Sequence, residues 1–155
     1  MRKNSIILIS VLLLFVFVHG YLYGSSYEKN QNGYKEIIEE LLSNRTSIMN
    51  RALYGDEDIN ISFVDLEKVE SGKLLEEDIE SLLYARTNPT DYPFISNVEV
   101  LEVELLEWQD NIYKFKVLIQ WEVIEIEEYK LDIEFFIHMK QEYGDFLLIS
   151  LDPVI

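Results

Sequence analysis

The 155-residue sequence contains no cysteine. That excludes a disulfide framework, thiol chemistry and attachment through an N-terminal lipidated cysteine. Glycine is scarce: beyond residue 33, Gly55, Gly72 and Gly144 stand alone, so neither a phosphate-cradling loop nor a nucleophile elbow is present. His138 is the one histidine after residue 19, and a lone histidine cannot assemble a zinc site. Basic residues are few, 13 against 29 acidic ones. Nucleic-acid binding needs Lys and Arg to neutralise phosphates, so that class of partner is excluded. Docking on anionic lipid head groups is disfavoured for the same reason.

What is present begins with Met1, Arg2 and Lys3, followed by the apolar run Ile6 to Val18. A basic start, a short apolar core and small residues beyond it make a secretory leader. The 13-residue run falls short of the ~20 residues of a spanning helix. Continuing through Tyr21 and Tyr23 nearly reaches that length, with aromatic residues where an interfacial belt would lie. Residues 1–24 are therefore expected to be a signal anchor, or else a signal peptide cleaved near Gly20. Arg2 and Lys3 hold the N-terminus in the cytoplasm and send the remainder out. With those two set aside, 11 basic residues face 29 acidic ones, a net charge of -18 on the exported part. The expected location is the cell membrane, with a single pass and the C-terminal domain outside; secretion is the alternative.

Residues 25–33 are polar and read as a linker, and 34–155 as one domain resting on its apolar core. Tyr34, Ile37, Ile38, Leu41, Leu42, Ile48, Met49, Ala52 and Leu53 recur at helical spacing, interrupted by Arg45 and stopped by Gly55. Ile59, Ile61 and Phe63 alternate with Asn60 and Ser62, which predicts a short strand. Gly72 and Lys73 break it, Glu76 to Asp78 open a second helix, and Leu75, Ile79, Leu82 and Leu83 supply its buried stripe. From Ser96 the period becomes two. Leu101, Val103 and Leu105, then Tyr113 through Val123, then Tyr129 through Met139, place apolar side chains on one face of successive strands, and Phe146 to Leu151 forms a fourth. Amphipathic helices followed by half-wet strands predict an α+β domain, with helices covering a curved antiparallel sheet of four strands or more.

This order of elements, with the segment Asn50-Arg51-Ala52-Leu53-Tyr54-Gly55-Asp56 at the end of the first helix, resembles the nuclear-transport-factor-2-like, or cystatin-like cone, group. The resemblance spans Tyr34 to Leu151. It implies an assembly or interaction module, since membrane-anchored bacterial members of the group mostly serve that role. Enzymes of the group, cyclases and isomerases, place Asp, His or Tyr inside the cone. The inward faces here are almost wholly apolar.

The remaining candidates for chemistry are few. The many Glu residues lie on solvent parity, as does His138. Asp56, Asp58, Asn60, Ser62 and Glu67 match positions 1, 3, 5, 7 and 12 of a calcium loop, but Ile61 stands where the turn needs glycine. Tyr113, Phe115, Trp121, Tyr129 and Phe135 are the candidates to line a ligand cavity in the cone; at strand spacing they fit a core equally. The sequence thus points to a non-enzymatic, membrane-tethered extracytoplasmic domain of a bacterial envelope, with no catalytic residues, cofactor or metal. Its partners are the membrane through the leader and an unidentified envelope protein, with self-association left open. Binding of a small apolar ligand is the alternative, and an isomerase or cyclase trails.

Overall fold

The computed structural model describes residues 33–88 and 92–155; the leader and most of the linker lie outside the described residues. Helix α1 covers 33–54, α2 Ile59–Leu66 and α3 Gly72–Thr87, and four strands follow: β1 Phe94–Gln109, β2 Ile112–Ile124, β3 Glu128–Glu142 and β4 Asp145–Pro153. Neighbouring strands pair antiparallel in the order β1-β2-β3-β4. The helices pack on this open sheet, so the fold is α+β.

Helix α1 buries the stripe its spacing predicts, with Ile38, Leu41, Leu42, Ile48 and Ala52 in the core. Its last turn closes where the Gly55 N–H donates to the Arg51 carbonyl at 2.8 Å. A Cβ on residue 55 would lie 2.5 Å from that same oxygen, so any side chain there collides with the helix it ends. In the sheet, β2 and β3 alternate as expected and bury Phe115, Val117, Ile119, Ile137 and Met139. The β1–β2 turn uses Asp110 and Asn111, both at positive φ (50° and 63°), the conformation a two-residue hairpin loop demands.

Strand β1 departs from strict alternation. Its register shifts at Ile95/Asn97, Val100/Glu102 and Leu105/Glu107. Each shift inserts one residue, so the side chains opposite the inward positions of β2 are Ile95, Val98, Val100, Val103, Leu105 and Trp108. The bulges keep one face apolar over a strand whose sequence parity changes, and they curve it around the helices. Strand β1 is also an edge of the sheet, and α1 meets some of its outward backbone groups: the Val100 N–H donates to Glu39 Oε2 at 2.9 Å, and Asn50 Nδ2 donates to the Ile95 carbonyl at 2.7 Å. Because Val100 is fully buried, Glu39→Ala orphans a desolvated donor. The expected loss is about 1–3 kcal/mol in urea unfolding, most of it restored by Glu39→Gln, which keeps an acceptor. Equal losses in the two variants would show that charge, and not the edge contact, matters at this position.

Two sequence expectations are corrected. Ile59, Ile61 and Phe63 lie on α2 and not on a strand. Asp58 caps the helix by accepting from the Asn60 N–H at 3.0 Å, and the buried face is Ser62 and Leu66, with Ile61 and Val64 exposed. Apolar residues at 59, 63 and 66 fit a helical period as well as 59, 61 and 63 fit a strand, and the cap decides between them. Helix α3 starts a turn earlier than expected, at Gly72, and buries Leu74, Asp78, Leu82 and Ala85; Leu83 is exposed. The stripe is shifted because Asp78 turns inward.

Candidate functional site

One uncovered part of the sheet is the far end of the β2–β3 hairpin. Strand β4 pairs with β3 only from Phe135 onward, and the Val154 N–H closes on the Glu134 carbonyl at 2.9 Å. Residues 128–133 of β3 pair with β2 on one side, and among the described residues no strand lies on the other. The other two edges are met in part. Side chains of α1 reach β1, and the 69–71 backbone bonds Leu148 of β4 in both directions at 2.9 Å.

At this bare edge the inward side chains are Tyr129, Leu131 and Ile133, and the outward ones are Glu128, Lys130, Asp132 and Glu134. Tyr129 is 43% exposed and Leu131 44% exposed, although both stand on the face that elsewhere forms the core. Unpaired backbone beside exposed apolar side chains is a template for another chain.

The five aromatic residues expected to line a cavity do not come together. Phe115 is fully buried and stacks on Tyr113 at 6.3 Å between centroids, with Phe146 edge-on to Tyr113 at 5.3 Å. Trp121 and Phe135 form a second, T-shaped pair at 6.2 Å. Tyr129 stands apart at the open end. None of the five lines either cleft against α1. One cleft, of about 490 Å³, lies between Asn50, Arg51 and Tyr54 and the start of β1; the other, of about 800 Å³, lies between Arg45 and α3.

Behind the second cleft is a charge cluster that carbon-rich surroundings make unusual. Arg45 of α1 grips Asp78 of α3 with a two-pronged contact, Nε to Oδ2 at 2.8 Å and Nη2 to Oδ1 at 2.7 Å. Glu70, in the turn between α2 and α3, places Oε1 2.6 Å from the same Nε, and its side chain has no exposed surface. Since that N–H points at Asp78, Glu70 gains Coulombic attraction without an aligned donor, and as a carboxylate neither of its oxygens accepts a hydrogen bond. Burial, set against the attraction of Arg45, pushes the Glu70 carboxyl up to about 8, and the nearby Asp78 carboxylate pushes the same way. Once protonated, Glu70 is itself a donor beside Asp78.

The expectation that Glu side chains are solvated is therefore corrected at Glu70. A raised carboxyl in a cleft is a feature of acid–base sites. Here the acid stands behind Arg45 and Asp78 with no surface of its own to offer a substrate. Its geometry is that of a buried strut joining α1, the α2–α3 turn and α3.

The other candidates resolve simply. Asp58 is a helix cap and Ser62 is buried in α2, so the calcium-loop positions do not encircle a point, and no metal-holding group of three acidic or histidine side chains occurs among the described residues. His138 lies on the outer face, as its parity predicts, with Nδ1 2.6 Å from Ser150 Oγ.

Comparison with known proteins finds no matching family model and no matching curated protein. Among solved structures, the chain is similar to the intermembrane space region of the chloroplast protein ARC6, at 9% identity and a TM-score of 0.46, covering 77% of this chain and 97% of that one. It is also similar to the putative transfer protein TraH from the Gram-positive conjugative plasmid pIP501, at 12% identity and a TM-score of 0.43, covering 73% and 93%. A protein of unknown function from Bacteroides thetaiotaomicron matches at 16% identity and a TM-score of 0.43, covering 83% and 95%.

Proposed function

We propose that this protein is a non-enzymatic, membrane-tethered extracytoplasmic domain that binds protein partners in a bacterial cell envelope. The observation that carries this reading is the bare β3 edge at 128–133, where Tyr129 and Leu131 expose apolar surface on the core face of the sheet. Tethering rests on the basic and apolar leader at residues 1–18, which lies outside the described residues; no helix among the described residues is long and apolar enough to cross a membrane. The element order, helices before a four-stranded meander, supports placing the domain among the nuclear-transport-factor-2-like cones. The closed burial of Glu70 and the commitment of Arg45 to Asp78 favour binding over catalysis.

The test is photocrosslinking in cells from a single introduced position. With a photoreactive residue in place of Leu131, a discrete crosslinked product is expected in the membrane fraction, while the same residue in place of exposed Glu77 on α3 gives none. N-terminal sequencing of the membrane-bound chain should begin at residue 1 or 2. Equal crosslinking from the two positions, or a mature chain starting near Tyr21 and found in the medium, contradicts the reading.

A further inference from the structure

We infer that the partner segment taken up at 128–133 is an extended strand in which apolar residues alternate with Lys or Arg, added to the edge of β3. This rests on the proposed function above and specifies the chemistry of its partner. Strand addition joins main chain to main chain and leaves alternate side chains to set specificity. A strand beside 128–133 would lay one set of side chains against Tyr129, Leu131 and Ile133 and the other set alongside Glu128, Lys130, Asp132 and Glu134. The first set must be apolar to cover two half-exposed side chains. The second meets the carboxylates of Glu128 and Asp132, because Lys130 is already held by Glu122 at 2.7 Å and Gln120 at 2.9 Å, and Glu134 by Lys116 at 2.9 Å. Glu127 in the adjoining loop adds a carboxylate close in sequence, whereas Glu125 accepts from the hydroxyl of inward-facing Tyr129 at 3.3 Å.

The same charges argue against a second copy of this chain. An antiparallel self-pairing about Leu131 sets Glu128 opposite Glu134 as well as Lys130 opposite Asp132, one about Asp132 sets that carboxylate against itself as well as Lys130 opposite Glu134, and one about Lys130 sets lysine on lysine and Glu128 on Asp132. Like charges directly opposite destabilise a strand pair. Every one of these registers carries a like-charge pair, whereas a strand with Lys or Arg opposite Glu128 and Asp132 carries none at those positions, which favours a partner of opposite charge.

The experiment uses the full chain in a non-ionic detergent and synthetic peptides capped at both ends. The probe is a ten-residue peptide alternating Lys with Val. Its controls are the Glu/Val counterpart, a peptide of the same composition with Lys and Val in separate blocks, and the alternating Lys/Val peptide carrying N-methyl groups at alternate residues on its donor edge. The alternating Lys/Val peptide is expected to bind with amide shifts concentrated at 128–133. N-methylation should weaken it about tenfold or more without changing its charge, since it deletes ladder donors. Equal binding of the blocked or N-methylated peptide would reduce the effect to charge attraction and overturn strand addition. Tighter binding of the Glu/Val peptide, or a dimer in sedimentation that protects the 128–133 amides from exchange, would overturn it too. If Leu131 crosslinks a partner in cells while these peptides fail, the binding role survives and the strand chemistry falls. If that crosslink is also missing, the binding role itself falls.

Discussion

Replacing Arg45 with Met is expected to lower the free energy of unfolding by about 3–5 kcal/mol. Met keeps much of the length and apolar stem of Arg, so the loss is not one of packing. What disappears is the counter-charge between Asp78 and Glu70, whose side chains are 9% and 0% exposed. The Asp78 carboxylate is then left in the interior beside a second carboxyl, with neither prong of its former contact. Arg45→Lys should fall between, because an ammonium cannot reproduce a fork of two parallel N–H bonds. Replacing Arg45, Glu70 and Asp78 together with Met, Met and Leu should recover most of the loss, since a buried ionic cluster exchanged as a whole for apolar side chains is often neutral. Chemical denaturation followed by circular dichroism measures all three. A single-variant loss below about 1 kcal/mol would mean that water reaches the cluster and that it does not hold the helices together.

How much of this was legible in the sequence differs from element to element. The sheet was legible because period two persists through Tyr113–Val123 and Tyr129–Met139, and the register places those residues on one face. Strand β1 was only half legible: Leu101, Val103 and Leu105 show the pattern, but three bulges exchange sequence parity for spatial parity, and Val98 and Val100 became the buried pair. Alternation over five residues was too short to tell α2 from a strand, and its cap at Asp58 carried the decisive information. The charge cluster left a trace that was available. Arg45 interrupts the apolar stripe of α1 at the spacing of Leu41 and Ile48, and Asp78 stands four residues from both Leu74 and Leu82. Opposite charges on the buried stripes of two helices imply that the stripes meet. Glu70 left no such trace, because a turn has no period and its burial comes from the bond of its neighbours to Leu148. The bare edge at 128–133 was hidden for a similar reason. Tyr129 and Leu131 continue the core pattern of β3, and the point at which β4 stops pairing, which leaves the backbone edge beside them bare, has no signal in that pattern.

The stability of the domain is expected to fall as pH rises from about 5 to 8, and Glu70→Gln is expected to abolish that fall. An unfolded Glu titrates near 4.5, whereas in the fold burial raises the Glu70 carboxyl to about 8. Between those values the folded chain holds a proton that the unfolded chain has released. Raising the pH therefore favours unfolding, with a slope approaching about 1.4 kcal/mol per pH unit. The contribution is complete below 4.5 and lost once the pH passes 8. Two carboxylates act with the opposite sign, Asp65 held low chiefly by its hydrogen bond to Lys68, and Glu122 by its hydrogen bond to Lys130. Their stabilisation disappears only on acidification below the ordinary carboxylate range, and exposure to solvent keeps it small. Among the described residues, Glu70 is the carboxyl raised into the interval from 5 to 8. The glutamine side chain of Glu70→Gln has nearly the same shape, stays neutral throughout and offers an amide N–H towards Asp78, so it does not carry the cost of holding a proton against solvent. Near pH 4.5 the two proteins should differ by less than about 1 kcal/mol, and the variant should gain steadily as pH increases. Urea midpoints at pH 5, 6.5 and 8 for both proteins decide the matter. Parallel profiles would place the titrating group elsewhere, and a flat wild-type profile would show that Glu70 ionises inside the cluster without cost.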